Sequence, residues 1–156
     1  MRVRDALFIV LVPLLAGIDA GAMTVPPLSP TALAARADVV VEGVVTSARA
    51  RWVGRRILTF YIVTPDGVGA PSIVVAVPGG VVGALGQRVP GAPVLHAGQR
   101  YRLHLGPADG PADVDGGPPS RGIIGFFRGV ALLADHDGVR VSIPFYDDGH
   151  AQEPRP

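Results

Sequence analysis

Val39-Val40-Val41-Glu42-Gly43-Val44-Val45-Thr46-Ser47 and Ile57-Leu58-Thr59-Phe60-Tyr61-Ile62-Val63 decide the fold of this chain. Both runs are dominated by β-branched and aromatic residues, which fit a pleated surface and lose rotamer freedom in a helix. The first run continues towards Trp52, and Val53-Gly54-Arg55-Arg56 turns the chain into the second, so the two form a hairpin. Gly43 inside the first run marks a bulge or tight bend, the device by which small barrels curve.

Further strands follow outward from this hairpin. Pro65-Asp66-Gly67 is a turn and Ser72 to Val77 a third strand. Gly98 to Leu105 alternates, with Tyr101, Leu103 and Leu105 facing one way and Arg100, Arg102 and His104 the wet way. Ile123 to Phe127 and Val130 to Ala134 come next. The turn Asp135-His136-Asp137-Gly138 then leads into Val139 to Ile143 as a terminal hairpin. Before the first strand, Ser29 is an N-cap and Pro30 a first helical residue, so Thr31 to Arg36 forms one short helix. Pro78 to Val94 is too rich in Gly and Pro for regular structure and too apolar for a linker, so it packs as an ordered loop over one end of the domain. Gly106 to Ser120 is the most mobile internal stretch by composition. Together these give a mainly β chain, a small antiparallel barrel of five or six strands with one short N-terminal helix. The phase of the first two strands stays open by one residue. With it chosen, the core set is Val39, Val41, Val45, Leu58, Phe60, Ile62, Val74, Leu103, Leu105 and Val141.

Composition agrees with that class. The chain has 156 residues, room for one domain, and 48% of them are apolar, enough for a core. Gly (21) and Pro (16) are abundant, which disfavours long helices. All 14 basic residues are Arg, and Asn is also missing, a pattern that follows from GC-rich bacterial codons. Arg richness is therefore no sign of phosphate binding. With 13 acidic residues the formal charge is +1 and the longest basic run is Arg55-Arg56, so no nucleic-acid footprint exists. The absence of Cys excludes disulfides, thiolate metal sites and a cysteine nucleophile.

The first residues read as an address. Arg2 and Arg4 precede the uncharged run Ala6 to Ile18, and Ala20-Gly21-Ala22 follows. A positive start, a short apolar stretch and an A-x-A site make a signal peptide, with cleavage between Ala22 and Met23. The apolar run has 13 residues, short of the roughly 20 a membrane-spanning helix needs. Residues 1–22 are thus a leader, 23–35 an N-terminal segment with the helix, 36–143 the barrel, and 144–156 a polar disordered tail. The expected location is secreted or periplasmic, with no membrane span once the leader is removed.

No catalytic constellation stands out. His96, His104, His136 and His150 show no i, i+4 pair and no H-E-x-x-H. Asp113, Asp115, Asp135 and Asp137 lack the twelfth-position ligand of a calcium loop. Gly79-Gly80-Val81-Val82-Gly83 lacks the Lys and Ser/Thr of a phosphate loop. No Ser lies in a G-x-S-x-G context. Hence no metal or other cofactor is expected. Arg49, Arg51, Arg55 and Arg56 surround Trp52, an interface combination, and Arg49, Arg51 and Trp52 are the candidate binding residues. The alternative is a solvated hairpin whose Trp tucks back on the barrel.

The run Ala37-Asp38-Val39-Val40-Val41-Glu42-Gly43-Val44-Val45, the Trp after it, the strand with Thr59, Gly79-Gly80 and Gly98-Gln99-Arg100-Tyr101-Arg102-Leu103-His104-Leu105 together resemble a group of exported bacterial proteins of unknown function. More loosely, they are similar to netrin-like and tissue-inhibitor-of-metalloproteinase domains. That resemblance implies an OB-like barrel over Arg36 to Ile143. The inhibitors chelate zinc through an N-terminal Cys-x-Cys that this chain lacks, so inhibition by that mechanism is excluded. The resulting expectation is a non-enzymatic module that binds another exported protein. The alternative is a secreted enzyme or accessory domain with a His/Asp site borne on loops.

Cleavage gives the first test. Expressed in a Gram-negative host, the mature protein should begin at or within a few residues of Met23 by N-terminal sequencing. An intact Met1 on soluble cytosolic protein would refute the leader.

Overall fold

The computed structural model describes residues 28–136 and 138–144, so the leader, its cleavage residues Ala20, Ala22 and Met23, the tail beyond Pro144 and His150 lie outside the described residues. Helix α1 is Pro30–Arg36, opened by Ser29, whose side chain accepts from the Ala32 N–H at 3.1 Å. Nine strands follow: β1 (Val39–Val53), β2 (Arg56–Pro65), β3 (Ile73–Pro78), β4 (Gly80–Val82), β5 (Leu85–Gln87), β6 (Arg100–Gly110), β7 (Ser120–Ile123), β8 (Val130–His136) and β9 (Val139–Pro144). The described residues are mainly β with one short α-helix.

Five of these strands close a barrel in the order β1-β2-β3-β7-β6 and back to β1. One junction differs from the all-antiparallel expectation: β3 and β7 pair in parallel, Val75 opposite Arg121 and Ala76 opposite Gly122. Without that pair the sheet would be an open ribbon with two bare edges, so a two-residue parallel contact removes the edge problem. β8 continues along the same edge of β6 as β7, after the 3₁₀ turn Phe126–Gly129, and then leaves to pair with β9.

The long strand β1 serves two partners. Val39 to Val44 pairs with β6, and Gly43 to Val53 pairs with β2. The register slips between Val45 and Ser47, so the bulge sits at Thr46 and not at Gly43. Gly43 has a different duty: a Cβ there would collide with the Thr64 carbonyl and Pro65 on the neighbouring strand.

The core gathers Val41, Val45, Tyr61, Val63, Val75, Val77, Leu95, Tyr101, Leu103, Leu105, Phe127 and Val130. This corrects the expected phase of β2. Tyr61 and Val63 face the barrel interior with Val45 and Val75, whereas Leu58 and Ile62 are half-buried on the outer face. Phe60, on that outer face, is nonetheless 1% exposed. Val75 rather than Val74 joins the main cluster, Val39 only packs against it, and Val141 is exposed on the outlying β9.

Two stretches expected to lack regular structure contain strands. β4 and β5 form a small hairpin inside Pro78–Val94, and β6 runs on to Gly110 through a stretch that composition marks as mobile. The expected strand Ile123 to Phe127 is instead the end of β7 followed by the 3₁₀ turn. Pro144 belongs to β9 and not to the tail.

Arg100 and Arg102 do not simply face water. Arg102 reaches Glu42 at 2.6 Å, Arg100 pairs with Asp66, and Arg140 of β9 lies 3.4 Å from both carboxylates. These contacts tie the β8–β9 hairpin to the barrel. The hydrogen bond from Arg102 holds the Glu42 carboxyl below the usual glutamate range, against the opposing effect of its partial desolvation. A lowered carboxyl pKa means that Glu42 adds stability above its unfolded pKa, and that this is lost as pH falls through its folded value. Chemical denaturation should therefore show wild type losing stability relative to Glu42→Gln below about pH 4.5. A difference between the two that is flat from pH 7 to pH 3 would contradict the assignment.

Candidate binding groove

Trp52 and Arg51 are neighbours in sequence and opposites in space. After the Thr46 bulge, Ala48 pairs with Tyr61, Ala50 with Thr59 and Trp52 with Ile57, all on the face that continues the barrel interior. Arg49 opposite Phe60 and Arg51 opposite Leu58 take the outer face. The three candidate binding residues are therefore not brought together: Trp52 stands apart from the two arginines.

Arg51 is half-buried. Its guanidinium lies over the Phe60 ring, 5.3 Å from the centroid, and donates to the Ala112 carbonyl of the loop before β7. Its Nε and Asp113 Oδ1, on the residue after Ala112, are both buried without a hydrogen-bond partner among the described residues. Arg51 thus covers a buried aromatic and anchors the Pro111–Pro119 stretch, whereas Arg49 is exposed.

The face that carries Trp52 is covered by the β4–β5 hairpin. Gly80, at φ +133°, sits so close to Thr59 Oγ1 and Ala50 Cβ that no side chain could be accommodated there. Gly83, at φ +61°, makes the two-residue turn with Ala84. Polar pins fix the hairpin to β2: the Thr59 hydroxyl donates to the Gly79 carbonyl at 2.7 Å, and the Ile57 N–H donates to Gln87 Oε1 at 2.7 Å.

A strap, residues 88–96, then crosses the end of the barrel. Leu95 inserts into the core. Two buried phenols hold the strap from below, Tyr61 Oη accepting from the Leu95 N–H at 3.4 Å and Tyr101 Oη from the His96 N–H at 2.9 Å. Burial raises the pKa of both phenols, so each stays neutral at neutral pH. The Phe127 N–H donates to the Gly91 carbonyl at 3.0 Å and secures the far side.

Between hairpin and strap lies an open groove of about 680 Å³, within the size range of small-ligand sites. Thr59, Tyr61 and Val77 form its floor, and Pro78–Val81 with Gly86–Val94 its walls. The floor hydroxyls already have partners, and among the described residues no Asp, Glu, His or Ser lines it. Val81 on its hairpin wall is 68% exposed and Arg88 is exposed as well; Leu85, 61% exposed, lies on the same hairpin, and Trp52, 45% exposed, on the β1 face against which that hairpin packs. Sequence reasoning reached Trp52 and missed Val81, Leu85 and Arg88. The available signal was Gly83-Ala84 between Val82 and Leu85, the pattern of a two-residue hairpin turn.

Among the described side chains the remaining candidate chemistry stays dispersed; Asp137 and the side chain of His136 lie outside them. His96 is exposed in the strap, and His104 is half-buried with Nδ1 3.3 Å from the Gly129 carbonyl. Exposed Asp135 lies 3.8 Å from Arg140. Among the described residues no three of His, Cys, Asp and Glu gather where a metal could be held, and no helix is long and apolar enough to cross a membrane.

The two arginines should separate in stability. Arg51→Ser forfeits the ring contact and a charged hydrogen bond and should cost about 1–3 kcal/mol in urea unfolding. Arg49→Ser should stay within about 0.5 kcal/mol of wild type. Equal costs would mean that Arg51 covers nothing of consequence. No protein-family model, curated protein or solved structure matches the chain, so the site rests on its own geometry.

Proposed function

We propose that this chain is a non-enzymatic binding module, exported and active in the cell envelope or medium, that takes a partner protein at the groove between the β4–β5 hairpin and the strap. One observation carries this: a preformed groove whose hairpin wall exposes Val81, with Leu85 exposed on the same hairpin, while its floor hydroxyls are already engaged. Exposed large apolar side chains gathered at a concave surface mark an interaction site. Catalysis would need a nucleophile or base aimed into the same space, and the lining consists of Gly, Pro and aliphatic residues with Thr59, Tyr61, Gln87 and Arg88. Export is supported by the charged, apolar and A-x-A succession at the N-terminus.

Site-specific photo-crosslinking tests the location. p-Benzoylphenylalanine at Val81 should give a discrete protein adduct in envelope fractions of the source bacterium. The same group at Val139, equally exposed but on β9, should give none. Adducts at position 139 alone would move the interface to the terminal hairpin. Turnover of the captured protein by purified chain would replace binding with catalysis.

A further inference from the structure

We infer that residues 111–119 form a lid over the outer face of β2 and β3, latched by Arg51 of β1, and that this lid opens while the barrel stays folded. The covered face is the reverse of the one that carries the β4–β5 hairpin, so the lid stands whatever the groove binds.

The lid is rooted between the end of β6 and the start of β7. At its base the hydroxyl of fully buried Ser120 donates to the Pro111 carbonyl at 2.6 Å, and Gly110 lies too close to Ser120 for any side chain. Closed in this way, the segment is a compact Ω-type loop. β7 neighbours β3, and β2 and β1 follow. A loop rooted at β7 whose Ala112 is held from β1 by Arg51 therefore crosses the outer face of β3 and β2. That face is apolar. Phe60 is 1% exposed and Val74 7%, with Leu58, Ile62 and Ala76 half-buried beside them. Arg51 over the Phe60 ring supplies part of their cover, and the lid supplies the rest.

The latch is a single and imperfect contact. Among the described residues, the bond from Arg51 to the Ala112 carbonyl is the only hydrogen bond joining residues 112–119 to the rest of the fold. At that same contact Arg51 Nε and Asp113 Oδ1 are buried without partners. An unmatched donor and acceptor regain hydration when the lid opens, which offsets part of the cost of exposing Phe60. Pro111, Pro118 and Pro119 stiffen both stems, so the segment swings as a flap. Opening uncovers Leu58, Phe60, Ile62 and Val74, a second apolar surface that the closed fold conceals.

Because the chain has no Cys, one engineered thiol reports on the lid. Val74→Cys lies on the covered face, and Val75→Cys, its neighbour, inside the barrel. With an aromatic disulfide reagent and no denaturant, Val74→Cys should label about a hundredfold faster than Val75→Cys. Low urea should scarcely change the Val74→Cys rate, because a local opening exposes little surface, whereas Val75→Cys should follow the steep dependence of global unfolding. Adding Arg51→Ser should speed labelling at position 74 about tenfold. Arg49→Ser should leave it unchanged. Asp113→Ala, which removes the unmatched acceptor and keeps Arg51, should slow it about threefold. Where Val75→Cys does not fold, the urea slope at position 74 is compared with that of equilibrium unfolding. A slope equal to the global one would mean that the lid opens only with the barrel and would overturn the inference. So would an unchanged rate in Arg51→Ser, or labelling of Val74→Cys as fast as a free thiol, since no lid would then cover the face.

Discussion

The bulge at Thr46 is the constraint on which the rest of the molecule depends. A strand has a side-chain period of two, so one inserted residue exchanges its faces from that point onward. Up to Val45, odd-numbered residues of β1 point into the barrel with Val63 opposite; from Ala48, even-numbered residues share a face with Tyr61, Thr59 and Ile57. One strand can then close the barrel against β6 with its first third and carry a hairpin arm with the remainder. Had the register run straight, Arg49 and Arg51 would lie where the β4–β5 hairpin packs. Charged side chains there would exclude the close approach that Gly80 makes to Ala50 and Thr59.

With the arm in place, the covering segments are held by few contacts, each made to a buried group. Tyr61 and Tyr101 contribute ring surface to the core and keep a hydroxyl for the strap, so fixing Leu95 and His96 needs no additional polar burial. Thr59 and Gln87 do the same for the hairpin. A segment pinned at its ends and filled with Gly and Pro retains an open middle. The groove is what remains between two such segments.

Much of the barrel was legible because its signals are local. β1, β2 and the alternating part of β6 announce themselves by β-branched runs and by Tyr101, Leu103 and Leu105. Closure was not, because the parallel β3–β7 junction spans two residue pairs and joins segments distant in sequence. The phase of β2 was hidden by Phe60, an aromatic buried on the outer face under Arg51, where alternation alone expects water. The bulge was hidden in a different way. Thr46 is an ordinary strand residue, while nearby Gly43 draws attention and serves only close packing. Grouping Arg49, Arg51 and Trp52 as one surface followed sequence adjacency, although the strand period alone already sets Arg51 and Trp52 on opposite faces.

The distribution of charge completes the picture. Across the barrel, arginines of β6, β7 and β9 meet carboxylates of Asp38, β1 and the β2–β3 turn, and each such pair joins elements far apart in sequence. Surface pairs of this kind contribute little individually, but Arg140 bridges two acids at once and sets the direction in which β9 lies. Acids engaged in this way are unavailable to Arg88, which lines the groove, exposed and without an ion-pair partner among the described residues. The same bulge that set Trp52 on the face of Ile57 and Thr59 turned Arg51 away from it, towards the buried ring of Phe60. One register shift thus separates the arginine that covers Phe60 from the tryptophan beside it in sequence.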